Sequence, residues 1–344
     1  KYEIDHGIYA KPDKVTVDSW FKVWRNEYAA NNMRENTLAH VDSMYMYHIK
    51  PEIGHMKMQE VRTEHIQMLL NKMKKQDYST DFMKRVRNVV SQMFKQAYKN
   101  DMIYRNPVDN AVTPSGKEKK EHRVLTEKEQ KTFLDYAKGN DYELIFVLGL
   151  STGMRIGEIQ ALQWKDVDFK NMVINIDGTL IKVDGKEYTK GPTKTKSSKR
   201  SVPLLPEVAK KLREHRKEQL KYKLMLGAEW QQVKGLEDLL FCTPIGRPLS
   251  RSVIYNAIDR IIEQINHDER MKAKEAGRDP EVFEHFSSHT MRHTFATRAL
   301  ENGIPPKVVQ ELLGHSTIKT TMDIYTHVLP KTKNDEIQKI ASLF

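Results

Sequence analysis

Residues 305–325 read PPKVVQELLGHSTIKTTMDIY. Pro305-Pro306 opens a helix that runs to Leu313, and Gly314 caps it, because glycine enters the left-handed conformation that ends helices at no steric cost. Ser316 or Thr317 then starts a second helix leading to Tyr325, and the short turn between the two aims His315 back toward the body of the protein. A lone tyrosine on such a helix ordinarily belongs to a core or an interface, so Tyr325 becomes interesting only through its company. The company is upstream: Arg155 in TGMRIGEI (152–159), and His289 and Arg292 in HTMRHT (289–294). A phenolate oxygen can attack phosphorus, while guanidinium groups hold the non-bridging oxygens in planar, bidentate hydrogen bonds. One hydroxyl nucleophile, two arginines and two histidines therefore suit chemistry on a phosphodiester.

Composition permits that partner. The chain has 344 residues, room for two ordinary domains, with 39% hydrophobic and 30% charged residues as in a soluble globular protein. Its net charge of +11 makes an acidic polymer a natural partner, although many proteins this basic bind none. Cys242, the only cysteine, rules out an internal disulfide framework and points to a reducing compartment. No apolar run approaches the ~20 residues of a membrane span, so no membrane partner is expected. The chain opens on Lys1 without a signal-peptide pattern, which reads as a fragment or a processed form.

Residues 1–115 read as a helical domain with an extended tail at 1–14. Trp20, Trp24 and Tyr28 recur every four residues; Ile66, Leu69, Leu70 and Met73 make a second apolar stripe, and Val86, Val89, Val90, Met93, Phe94 and Ala97 a third. Lys84, Arg85, Arg87 and Lys95 are interleaved with that third stripe, either as DNA contacts or as a solvated helix face. Asn106-Pro107 ends the series. A polar, basic stretch follows, a linker at 116–124 whose Lys119 and Lys120 would suit a strap along a duplex. Residues 125–344 form the second domain, with a C-terminal tail at 330–344. Thr126 and Glu129 make a capping-box pattern. The apolar run from Leu144 to Leu162 is broken at Ser151-Thr152-Gly153, which places Arg155 at a helix start, where free N–H groups favour anions. Val173, Ile174 and Ile176 predict a strand, Asp184-Gly185 a hairpin turn and 200–204 another strand. A charged insertion at 266–280 has no evident role.

Taken in order, these boxes resemble the tyrosine recombinases, the integrase family that cuts and rejoins DNA. TGMRIGEI resembles the family's first arginine box, in which Glu158 orients an arginine or lysine, and HTMRHT followed by Phe295-Ala296-Thr297 resembles the second. A bare H-x-x-R means little, since His267-Asp268-Glu269-Arg270 repeats it inside the insertion. The ten-residue separation from His315 to Tyr325 fits the family. TKTKSSKRSVPL (193–204) resembles its hairpin with a catalytic lysine, whose register selects Lys194 and leaves Lys196 open; Lys196 and Arg200 are also candidate DNA contacts.

The resemblance implies a mostly α fold with a small antiparallel β-sheet, comprising a helical, SAM-like core-binding domain and a mixed α/β catalytic domain. It implies that Tyr325 forms a 3′-phosphotyrosyl link, with Arg155 and Arg292 on the phosphate oxygens, His289 and His315 as hydrogen-bond and proton partners, and Lys194 as acid to the leaving 5′ oxygen. Strand exchange through a Holliday junction would need neither metal nor other cofactor. The implied partners are double-stranded DNA attachment sites and a homotetramer on two duplexes, with an excisionase or host DNA-bending protein as accessory, in the bacterial cytoplasm and on the nucleoid when bound. Integrases of conjugative transposons and of phages of Gram-positive bacteria are the nearest flavour, and an arm-binding amino-terminal domain is not evident. The apolar residues Ile337, Ile340, Ala341, Leu343 and Phe344 dock on a neighbouring protomer or on the chain's own core. Two rivals remain: a helix-turn-helix regulator built on 304–321, and a topoisomerase with the same chemistry.

Overall fold

The structure, a computed structural model, describes residues 14–117, 123–183, 187–192 and 199–324. The chain divides into two compact units, Lys1–Glu121 and His122–Phe344.

In the first unit, α1 (Val17–Val23) passes into a π-helical stretch, Trp24–Ala29, and α2 (Glu35–Met44) into another, Tyr45–Ile49. A π turn carries one extra residue and rotates the face presented to the core. That is why the four-residue period seen in sequence slips at its third member: Ala29 is buried, while Tyr28 is only half-buried and its hydroxyl accepts from Asn100. Phe21 and Tyr45 stack face to face at 3.5 Å, and the indole N–H of Trp20 donates to the Met93 carbonyl at 3.0 Å. The other two stripes behave as their period requires. Ile66, Leu69, Leu70 and Met73 are buried on α3 (Thr63–Lys75), and Val86, Val89, Val90, Met93, Phe94 and Ala97 on α4 (Thr80–Lys99). The expected linker is tied down at both ends: Gly116 N–H donates to Thr80 Oγ1 at 2.7 Å, and Arg123 binds Glu129 at 2.5 Å and the His285 carbonyl at 2.7 Å.

The second unit opens on α5 (Glu127–Ala137), with Thr126 and Glu129 exchanging capping bonds. It is built around α6 (Glu143–Thr152), whose Leu144, Ile145, Phe146, Leu148 and Leu150 are all buried. After the short α7 (Ile156–Gln160) come β1 (Val167–Asp168), β2 (Val173–Ile176), the hairpin β3 (Gly178–Val183) and β4 (Glu187–Pro192), and β5 (Arg200–Pro203). The strands form an antiparallel three-stranded sheet, β1-β2-β5, and a separate two-stranded one, β3-β4. The Asp184-Gly185 turn lies outside the described residues. Helices α8 (Pro206–Leu226), α9 (Arg251–Glu275), α10 (Ser288–Glu301) and α11 (Pro306–Leu313) follow, and the backbone is helical again at 318–324. Among the described residues no helix is long and apolar enough to cross a membrane.

The charged insertion at 266–280 is the end of α9 and its return. Asn266 exchanges two hydrogen bonds with the Phe283 backbone, at 2.9 and 2.7 Å, while Glu269 receives Arg278 at 2.6 Å and the Glu281 N–H at 3.0 Å. These bonds fold the polar segment against its own helix.

Gly153, which ends α6, sits where α6, α10 and α11 meet. Its φ of +63° is left-handed, and a Cβ there would lie 2.5 Å from Phe295 Cδ1 and 2.6 Å from Leu313 Cδ2. Both backbone and space require glycine. Gly153→Ala is expected to lower the unfolding free energy by about 1–3 kcal/mol through overpacking and backbone strain, read as a lower midpoint in urea denaturation; an unchanged midpoint would show that the junction can expand.

Candidate active site

Helix α11 ends in a Schellman motif. Gly314, at φ +65°, donates its N–H to the Glu311 carbonyl at 3.0 Å, and His315 donates to the Gln310 carbonyl at 3.1 Å. Those bonds leave the Leu312 and Leu313 carbonyls without intrahelical partners. Two arginines take them: Arg200 Nε donates to Leu312 O at 2.5 Å and Arg292 Nη2 to Leu313 O at 2.7 Å. Arg292 reaches further, since its Nη1 donates to Gly153 O at 2.9 Å, at the C-terminal end of α6. One guanidinium, only 6% exposed, thus joins the negative ends of two helices.

Arg155 stands at the N-cap position of α7 with extended backbone, as its place after the glycine break requires. Glu158, one turn on and 3% exposed, accepts from the Arg155 N–H at 2.9 Å and from Arg155 Nη1 at 2.8 Å. The same carboxylate accepts from Arg200 Nη2 at 2.9 Å and Nη1 at 3.2 Å. Burial opposes ionisation of Glu158, but the hydrogen bonds and charge of Arg200, with those of Arg155, outweigh it and hold its carboxyl below the usual range. The Arg155 side chain is 37% exposed and that of Arg200 only 6%. Arg200, expected as a DNA contact, is buried and donates to Glu158 and Leu312 through Nη1, Nη2 and Nε, so it braces the site from within.

With Glu158 shared between two arginines, the site stays net positive. Burial first, then the charge of Arg155, lowers the pKa of Arg292 to about 9, leaving it protonated at neutral pH. Burial, followed by Arg292, Arg155, His293 and Arg200, lowers that of His315 to about 3, so its imidazole is neutral. Its Nδ1 lies 2.9 Å from Thr321 Oγ1. A buried field that stays net positive, with guanidinium N–H groups to spare, is suited to an oxyanion.

The structure thus brings Arg155, Glu158, Arg292 and His315 together. His289 lies on the first turn of α10, exposed, although it shares a sequence spacing with buried Arg292; His293, one turn on, is half-buried and close enough to depress His315. Tyr325, Lys194, Lys196, Lys119 and Lys120 lie outside the described residues. Lys84, Arg85 and Lys95 are exposed on α4. Arg87 is not available as they are. Its half-buried guanidinium donates to the carbonyls of Ala111 at 3.1 Å and Val108 at 2.9 Å, which anchors the 108–111 loop. Thr321, Arg200 as a brace and the carbonyls of Gly153, Leu312 and Leu313 were not visible as site components in sequence. Only the glycine at 314 carried a signal, by predicting a helix end whose carbonyls need donors.

Comparison with known proteins identifies the family. The phage integrase family matches residues 123–332 and the phage integrase N-terminal SAM-like domain matches 16–74. A tyrosine recombinase XerC-like protein of Caldanaerobacter subterraneus subsp. tengcongensis is 29% identical over 99% of this chain and 86% of its own length. The transposase from transposon Tn916 of Enterococcus faecalis is 26% identical over 78% of this chain, which spans 64% of that protein. In fold, the chain is similar to the Tn1549 transposon integrase in complex with transposon right end DNA, with a TM-score of 0.77 at 24% identity, covering 95% of this chain and all (100%) of that one. A lambda integrase dimer bound to a COC′ core site gives 0.60 at 18% identity, with 90% and 95% covered. The chain belongs to the phage integrase family and is a tyrosine recombinase.

The buried carboxylate allows a direct check. Glu158→Ala leaves the Arg200 guanidinium desolvated without its counter-charge, and is expected to cost about 3–5 kcal/mol of stability. Because the folded state holds Glu158 ionised below its ordinary value of 4.5, its stabilising contribution is present above that pH and lost as pH falls through the lower, folded value. The gap between wild type and Glu158→Ala in urea unfolding should therefore shrink with acidification; a gap independent of pH would deny the ion pair its role.

Proposed function

We propose that this recombinase integrates and excises a mobile element by cleaving and rejoining double-stranded DNA attachment sites through a 3′-phosphotyrosyl intermediate. The observation that supports it is the junction at the ends of α6 and α11, where Arg155, Arg292 and neutral His315 surround one positive, partly open site. Tyr325 Oη attacks the scissile phosphorus and the bond to the 5′ oxygen breaks. The leaving oxygen takes a proton from Lys194, or from Lys196 in the alternative register, and departs as a 5′-hydroxyl. Arg155 and Arg292 bind the non-bridging oxygens with the N–H groups that Glu158 and the helix ends leave over, while His289 and His315 supply further hydrogen bonds and His289 takes the phenol proton that Tyr325 releases. Attack by a 5′-hydroxyl of the second duplex reverses the step with new connectivity, through a Holliday junction, and needs no nucleotide cofactor because the phosphotyrosyl link conserves the bond.

Exposed Lys84, Arg85 and Lys95 would contact phosphates, and affinity would fall steeply with salt. Lys119 and Lys120, in the basic stretch between the units, would do likewise. The working assembly is a homotetramer on two duplexes in the bacterial cytoplasm, on the nucleoid when bound, with an excisionase or a DNA-bending protein setting direction. Action on a mobile element is supported by the relatives, among them the transposase from transposon Tn916 and the Tn1549 transposon integrase in complex with a circular intermediate DNA.

Suicide substrates, nicked duplexes carrying candidate attachment sites, test the nucleophile. Wild type should accumulate a denaturant-resistant protein–DNA adduct and Tyr325→Phe none, on DNA that both bind equally. An equal adduct from the variant would move the nucleophile elsewhere.

A further inference from the structure

Thr321 has no place in the reading above, yet its side chain is fully buried (0% exposed) and aimed at the site. It lies on the helical segment 318–324 and four residues before Tyr325 in sequence. Its Oγ1 is 2.9 Å from His315 Nδ1. The His315 backbone is held separately, with its N–H on the Gln310 carbonyl and its carbonyl accepting from Gln310 Nε2, both at 3.1 Å. Those backbone bonds do not fix the ring, and for the ring the open question is where its one proton sits.

A neutral imidazole has one donor and one acceptor nitrogen, and a hydroxyl can serve either. With the threonine O–H donated into Nδ1, the ring proton is on Nε2, and Nε2 is a donor. With the ring proton on Nδ1, donated to Oγ1, Nε2 carries a lone pair instead. Among the described residues, the titratable groups whose charge acts on the ring are Arg292, Arg155, His293 and Arg200. Together they keep His315 from escaping the choice by becoming a cation that donates from both nitrogens. A lone pair on Nε2 would repel a phosphate oxygen held by Arg155 and Arg292; an N–H would bind it.

We propose that Thr321 is a positioning residue that donates its hydroxyl to His315 Nδ1, fixing the neutral Nε2–H tautomer so that His315 acts as a hydrogen-bond donor to the scissile phosphate. The proposal rests on the reading of this site as a phosphate site. It makes the hydroxyl, and not merely the volume, of residue 321 matter for catalysis, and it links the segment before Tyr325 to the histidine that acts with it.

The test uses the full chain in three forms: wild type, Thr321→Val, which keeps shape and loses the hydroxyl, and Thr321→Ser, which restores it. Cleavage of a suicide duplex at saturating protein should fall roughly 10-fold in Thr321→Val, the loss of about one hydrogen bond's contribution, with DNA affinity unchanged. Thr321→Ser should recover most of the rate. Imidazole 15N spectra of histidine-labelled protein, assigned with His315→Gln, supply a readout that a packing role would not move. The wild-type ring should be neutral with its proton on Nε2, and should not titrate between pH 8 and 5, while Thr321→Val should shift toward the other tautomer. A wild-type ring protonated on Nδ1 overturns the proposal, even if Thr321→Val fails to fold. So does a Thr321→Val protein that cleaves at the wild-type rate while Tyr325→Phe is inactive. Full adduct from Tyr325→Phe would instead overturn the underlying reading of the site.

Discussion

Arg292 holds the second unit's centre together by donating to two helix ends at once, Gly153 O on α6 and Leu313 O on α11. Both carbonyls are there because both helices stop at a left-handed glycine, and such stops expose carbonyls that must find donors. The guanidinium is planar, permanently charged and forked, so it can satisfy two acceptors and still present other N–H groups. A lysine, as a point charge, could not span the pair in this way. The bonds by which Arg292 locks the junction also fix the orientation of the donors left over.

The neighbouring charges follow from that choice. Burial first, and then the neighbouring positive charges that Glu158 only partly offsets, lower the pKa of both Arg292 and His315. Donors fixed in advance in a low-dielectric setting need no reorganisation when charge appears on a substrate oxygen. Burial together with the positive field keeps His315 neutral, which makes its tautomer a matter of chemistry and gives a buried threonine something to decide. Glu158 moderates the field without abolishing it, since one carboxylate is shared between two arginines.

Arg200 and Arg87 illustrate how an arginine can build rather than bind. Each stands in a basic stretch that suits DNA, and each spends its fork on the protein itself, Arg200 on Glu158 and Leu312, Arg87 on the carbonyls of Val108 and Ala111. Irregular backbone leaves carbonyls that no helix or sheet satisfies, and a long side chain with several donors is an efficient way to satisfy them. Surface lysines such as Lys84 and Lys95 lack that use and stay in solvent.

Local pattern alone determined a good deal about this protein. The apolar stripes of α3 and α4, the Thr126–Glu129 cap, the strands around Ile174 and Val202 and the glycine stop at 314 are all written within a few residues of themselves, at the period of one helical turn or one pleat. The order of the boxes around Arg155, His289-Arg292 and His315 was legible for the same reason, as short strings with a fixed spacing. The tertiary structure decided what those residues touch. Arg292 reaches Gly153 across 139 positions, Arg200 reaches Leu312 across 112 and Glu158 across 42, and no period carries information over such distances. The π turns that moved Ala29 into the core in place of Tyr28 also arise from packing, since they depend on how Trp20, Phe21 and Tyr45 fit together. Thr321 was silent in sequence because one buried hydroxyl acquires meaning only from the ring it faces.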